Sequence, residues 1–112
     1  MSELLTYEEY KSLGASLDFP QSSFIDGKYY KGSGALLTTL NPSTGKEITN
    51  ITTASDEDVD LAVEKAREAF DQGRWCRLHP SERKDILIKL CKLLTRNQKE
   101  LAVMESLDSG KP

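Results

Sequence analysis

A helical tract from about Ser81 to Leu107 dominates this sequence, and the way it ends constrains the fold most. Ile86, Leu87, Leu90, Cys91, Leu93 and Leu94 fall along one side of it, with Lys84, Asp85, Lys89, Lys92 and Arg96 on the other. That is the spacing of an amphipathic helix, whose apolar stripe must be buried against another element. The tract closes on Glu105-Ser106-Leu107-Asp108-Ser109-Gly110-Lys111-Pro112, where glycine and proline stop the helix and expect chain to follow. The expectation is therefore a front segment of a larger protein. Asn97-Gln98-Lys99-Glu100 has capping-box spacing, so the tract either breaks there into two helices or runs through.

A chain of 112 residues is one domain at most, and alone it would bury roughly two-thirds of its unfolded surface. Charged residues make up 29% and the formal net charge is -3, with no basic stripe, which argues against nucleic acid as a partner. No apolar run is long enough to span a membrane, and Met1-Ser2-Glu3-Leu4-Leu5 lacks a secretory layout. The expected compartment is the cytoplasm. Cys76 and Cys91 are read as free thiols, because two scattered cysteines make neither a disulfide framework nor a metal motif.

Residues 2 to 17 read as a short amphipathic helix, with Thr6 and Glu9 at capping-box spacing, Leu13 and Leu17 on one face, and Gly14 weakening it. Pro20 with Ser22 and Ser23 marks a linker, so residues 1–23 form a helix-plus-linker unit ahead of 24–112. Phe24-Ile25-Asp26-Gly27-Lys28-Tyr29-Tyr30 predicts a tight hairpin about Asp26-Gly27. Leu36 to Leu40 is a third strand and Lys46 to Thr53 a fourth, joined by Asn41-Pro42-Ser43-Thr44-Gly45. The four strands are expected to make one small antiparallel sheet.

Ser55-Asp56-Glu57-Asp58 then opens a helix carrying Val59, Ala62, Val63, Ala66, Ala69 and Phe70 on one side and ending at Gly73. The small residues Ala62, Ala66 and Ala69 suggest close approach by another helix. Trp75 is read as a packing anchor in the turn, and His79-Pro80-Ser81-Glu82 as the next helix start. The fold class of the segment is α+β: a short N-terminal helix, about four short antiparallel strands, then two or three helices.

Few residues here carry chemistry. Gly32-Ser33-Gly34 lacks the third glycine of a dinucleotide loop, Leu37 standing in its place, and no helix opens after it. Gly45-Lys46 and Gly110-Lys111 lack the upstream glycine and the following hydroxyl of a P-loop. Cys76 has Arg74 and Arg77 nearby but no catalytic companion, and His79 is the single histidine. One oxygen-rich combination remains, the Asp108 carboxylate with backbone carbonyls at Thr39-Leu40, which suits a hard cation. A solvated or capping Asp108 is the competing reading, since spacing alone does not bring the three together.

In order, Phe24 to Tyr30, Asn41-Pro42-Ser43-Thr44-Gly45-Lys46-Glu47-Ile48, Gly73-Arg74-Trp75 and Glu105 to Pro112 resemble the N-terminal landmarks of the NAD(P)-dependent aldehyde dehydrogenase superfamily. The resemblance covers about residues 24–112, and the helix from Leu5 to Leu17 is similar to the lead-in of the γ-glutamyl-aminobutyraldehyde dehydrogenases. It implies an α/β protein with a Rossmann-like cofactor domain, of which 24–112 is the incomplete first part, working as a homodimer or homotetramer. The implied reaction oxidises an aldehyde to a carboxylic acid with NAD or NADP. A cysteine thiolate attacks, the thiohemiacetal passes hydride to the nicotinamide, and a glutamate activates the hydrolytic water. In that family these catalytic and dinucleotide-gripping residues lie downstream of the Gly-Lys-Pro landmark, so none is assigned here and the segment alone is expected to be inactive. The resemblance also implies a monovalent cation at Thr39 and Leu40, through backbone oxygen, and Asp108. The rival reading is a small non-enzymatic interaction module, a helical hairpin on a sheet that binds a partner helix.

Overall fold

A computed structural model of the chain describes residues 4–112. Helix α1 spans Tyr7–Ser16, β1 Ser23–Ile25, β2 Lys28–Tyr30, β3 Leu36–Leu40, β4 Glu47–Thr52, α2 Asp56–Asp71, α3 Pro80–Arg96 and α4 Gln98–Ser109. The class is the expected α+β. Among the described residues no helix is long and apolar enough to cross a membrane.

The first helix is shorter than residues 2 to 17. Thr6 is extended and caps it, accepting from the Glu9 amide at 3.4 Å while the Glu9 carboxylate accepts from the Thr6 amide at 2.8 Å, so Leu4 and Leu5 precede the helix. The part of that expectation at residues 2 and 3 lies outside the described residues. Gly14 is a contact point: a Cβ there would stand 3.3 Å from Val103 and 3.5 Å from Leu107. Its missing side chain lets α1 lie close on α4.

The hairpin forms as its turn residues dictate. Asp26 and Gly27 both take positive φ, 47° and 79°, the paired left-handed turn that matches strand twist, and Phe24 and Tyr29 meet edge to face across it at 5.1 Å. The four strands do not form one sheet. β1 pairs only with β2, and β3 only with β4, antiparallel in both cases. The separation arises in the glycine loop: the Gly34 amide donates to Thr53 O at 3.0 Å and the Thr53 amide to Ala35 O at 2.8 Å, which spends the loop on prolonging the β3–β4 ladder. Ser33 is meanwhile drawn to the start of α2.

That second anchor is a knot of hydrogen bonds around Asp58. Its carboxylate accepts from the backbone amides of Ser33 at 3.0 Å and Ser55 at 2.9 Å and from the Ser33 hydroxyl at 3.1 Å, while Ser55 Oγ accepts from the Asp58 amide at 3.2 Å. Bonds that favour the charged form, the Ser33 and Ser55 amides first, hold the Asp58 carboxyl down at about 2, against an ordinary 3.8. A depressed carboxyl stabilises the fold above its unfolded value and loses that contribution as pH falls through the folded one. Protection of the Ser33 amide against exchange is thus expected to hold down to about pH 4 and to fade toward pH 2. In Asp58→Asn it is weak at every pH. Unchanged Ser33 protection at pH 2 in the parent protein would contradict this.

The long tract does break at Asn97, with φ -102° and ψ 17°. The capping box is not the cause, since Asn97 makes no side-chain cap and its amide nitrogen Nδ2 donates backward to Leu93 O at 3.0 Å. The break is a bend. The Asn97 amide still donates to Leu93 O and the Leu101 amide to Asn97 O, both at 3.0 Å.

The alanine stripe of α2 faces the β1–β2 hairpin. Ala62, Ala66 and Ala69 line a groove with Phe24, Ile25 and Asp26, so the hairpin forms the other wall of that groove. Trp75, in the turn between α2 and α3, is 45% exposed.

The apolar faces lie open. Ile25 is the one buried apolar residue among those described, and on α3 every expected core position from Ile86 to Leu94 is exposed. The accessible surface is 8978 Å², against roughly 6,200 Å² for a compact monomer of this mass. The radius of gyration is 17.8 Å, against roughly 13 Å for a compact 112-residue domain.

Candidate functional site

The four sequence landmarks come together two by two. The hairpin turn meets the end of α2 through Arg74, whose guanidinium donates to Asp26 at 3.2 Å, Glu68 at 3.1 Å and Gln72 at 3.1 Å. Glu68 also accepts from Lys65 at 2.9 Å and Gln72 at 3.0 Å. Chiefly the Lys65 bond and charge, then Gln72 and Arg74, hold its carboxyl below the ordinary range. Arg74 can reach three acceptors at once because the chain turns at Gly73, buried with φ 70°, a conformation glycine adopts without strain.

The second pairing joins the Asn41–Ile48 turn to the end of α4. Asn41 organises the turn: its side-chain oxygen accepts from the Ser43 amide at 2.9 Å, and its carbonyl from the Gly45 amide at 2.7 Å. Gly110, with φ 72°, terminates α4 in the left-handed conformation. A Cβ on it would stand 2.8 Å from Pro42 Cγ and 3.2 Å from Ser43 Oγ, so only a glycine lets the helix end touch the turn.

Between these elements lies a groove of about 360 Å³ lined by Phe19, Pro20, Thr39, Ile48, Thr49 and Ile51 on one side and Leu101, Met104, Glu105 and Asp108 on the other. Thr39 and Asp108 thus share one groove although far apart in sequence. Leu40 is not among its lining residues. It follows Thr39 across a bulge in the β3–β4 ladder, pairing with Glu47, and its side chain is half exposed. A bulge takes a strand out of register and re-aims its groups, and only the Leu40 carbonyl matters to the expected ligand set. Thr39 Oγ1 donates to Thr49 O at 3.1 Å. Among the described residues Asp108 and Glu105 have no ion-pair partner, and no cluster of three or more His, Cys, Asp or Glu side chains has metal-binding geometry. Glu105, a second carboxylate in the same groove, escaped the sequence reading. Helical spacing from Asp108, three residues on, was the available signal.

The other candidates behave as structural parts. His79 caps α3, its Nδ1 accepting from the Ser81 amide at 3.3 Å while Glu82 accepts from the His79 amide at 2.8 Å. Cys76 and Cys91 are free and exposed, Cys91 because the apolar face carrying it is itself uncovered. A Cβ on Gly32 or Gly34 would overlap the Thr53 backbone, so these glycines serve a crossing of two chain segments.

Known proteins similar to this chain include dehydrogenases. The profile of the aldehyde dehydrogenase family matches residues 29–112. An aminoacetaldehyde dehydrogenase of Pseudomonas aeruginosa is 48% identical over 113 residues, which covers 100% of this chain and 23% of that protein. Among solved structures, the γ-glutamyl-γ-aminobutyraldehyde dehydrogenase of Burkholderia cenocepacia superposes with a TM-score of 0.87 at 32% identity, covering 92% of this chain and 21% of its own. An indole-3-acetaldehyde dehydrogenase complexed with NAD+ superposes with a TM-score of 0.86 at 33% identity, covering 93% of this chain and 21% of its own. The chain spans about a quarter or less of the length of these relatives. With the ordered landmarks, the fold and a family profile that covers most of its length all in agreement, this chain belongs to the aldehyde dehydrogenase family.

Proposed function

We propose that these 112 residues are the N-terminal portion of an enzyme that oxidises an aldehyde to a carboxylic acid with NAD+ or NADP+, working in the cytoplasm as a homodimer or homotetramer. The observation that carries this reading is the uncovered apolar face of α3 in a chain spanning 23% of a relative that matches it from end to end. The same coverage disfavours the small interaction module, because the open face then has the rest of the enzyme as its partner. The nucleotide supplies the hydride acceptor when bound, and the attacking cysteine and the water-activating glutamate belong to other segments. What these residues contribute is placement. The Arg74 clamp and the Gly110–Pro42 contact fix the hairpins against α2 and α4, so that α3 presents one apolar face to the remainder. Aldehyde-dependent reduction of NAD+ by the natural gene product tests the reading.

A monovalent cation held by backbone oxygen of Thr39 and Leu40 and by the Asp108 carboxylate is part of the same proposal. The donor set is all oxygen and includes an unpaired carboxylate, which fits a hard ion. The shared groove of Thr39 and Asp108 and the bulge at Leu40 support it. At ten times its Kd such an ion stabilises the enzyme by about 1.4 kcal/mol. Potassium chloride is expected to raise the melting temperature above that in tetramethylammonium chloride of equal ionic strength, and Asp108→Asn to abolish the difference. Equal salt responses in parent and variant would remove the site.

A further inference from the structure

The residues ahead of the family-matched region are built into the fold at three successive points. First, α1 lies on α4 where Gly14 faces Val103 and Leu107. Next, Phe19 and Pro20 form part of the wall of the groove between β4 and α4, opposite Leu101 and Met104. Finally Gln21 binds β4 twice: its carbonyl accepts from the Thr52 amide at 3.1 Å and its side-chain amide donates to Thr49 Oγ1 at 3.2 Å. One short segment therefore touches α4 at one end, β4 at the other, and covers the cleft between them.

We propose that residues 7–21 act as a strap that holds α4 against the β3–β4 hairpin and closes the apolar cleft formed by Ile48, Ile51, Leu101 and Met104. The landmark contact at Gly110 and Pro42 joins the same two elements at only one end of the cleft. Without the strap the other end has no tie among the described residues, so α4 pivots about Gly110 and admits water to the cleft. The strap is separable by design of its contacts. Its helix carries its own capping box, has no buried residue, and its hold on α4 centres on a glycine, where a larger side chain would act as a wedge.

Amide hydrogen exchange on the intact protein tests this with two variants. Removal of residues 1–21 is expected to speed exchange in 101–107 of α4 and 48–52 of β4 about tenfold, leaving α2 and α3 unchanged. Gly14→Leu, which keeps the whole chain but drives a side chain into Val103 and Leu107, is expected to accelerate the same two segments by a smaller factor. Unchanged exchange in α4 and β4 in either variant overturns the strap. So does acceleration spread evenly over all helices, which would make the segment an ordinary contributor to global stability. If the truncated protein does not fold, Gly14→Leu alone decides between these outcomes.

Discussion

On its own, the 112-residue chain is expected to bind a hydrophobic dye strongly and to melt without a sharp transition. The reason is the balance of its surface. It exposes 8978 Å², roughly 2,800 Å² more than a compact protein of its mass, and Leu36, Leu87, Leu90, Leu93, Leu94 and Phe70 all stand about half exposed or more. Ordering a residue costs about 1–2 kcal/mol in backbone entropy. Burial of apolar surface is what offsets that cost, and among the described residues a single apolar one is buried. Secondary structure would persist in part, since α2 and α3 carry capping boxes, but fixed tertiary packing would not. Dye fluorescence and near-ultraviolet circular dichroism measure the two. A cooperative thermal transition without dye binding would show that the segment packs in some other way.

In the intact protein the most damaging single substitutions are expected at Gly32 and Gly34. A Cβ at either position would collide with backbone atoms of Thr53, which has no rotamer to escape into. The strand crossing must then open, and Gly34 would lose its 3.0 Å bond to Thr53 O. Gly32→Ala and Gly34→Ala are each expected to destabilise by about 2–3 kcal/mol, the upper range for overpacking. Gly27→Ala and Gly45→Ala provide the comparison. Both share positive φ, but a Cβ at either would meet nothing within 4 Å, so only the left-handed backbone costs energy, about 1–2 kcal/mol. Denaturant unfolding of the four variants separates steric collision from backbone strain. Equal losses at all four would mean the crossing is not tight.

Local signals in the sequence carried through wherever the cause was itself local. Asp26-Gly27 set the hairpin, Thr6 with Glu9 and Ser55 with Asp58 set the starts of α1 and α2, and Gly110 ended α4. Features that depended on distant partners were not legible. Nothing in the spacing of Gly32, Ser33 and Gly34 reveals that Asp58 will draw that loop to α2 and split the strands into two sheets. Likewise the alanines of α2 do not say that the element across the groove from them is a hairpin. Asn97 shows the limit of a spacing rule, because the helix bends there while the side chain bonds backward. For the candidate site, the oxygens of Thr39, Leu40 and Asp108 are nominated by their chemistry and the family resemblance, whereas the groove that Thr39 and Asp108 share depends on Gly110 meeting Pro42, a contact between residues 68 positions apart in the sequence.

The central claim is that this chain serves an aldehyde dehydrogenase whose chemistry lies in other segments. Its most direct test is the rate of aldehyde-dependent NAD+ or NADP+ reduction by the natural gene product and by the isolated 112 residues, measured side by side. The account predicts turnover by the natural product and none by the isolated chain. Turnover by the isolated chain, or a natural product that oxidises no aldehyde with either nucleotide, would contradict it.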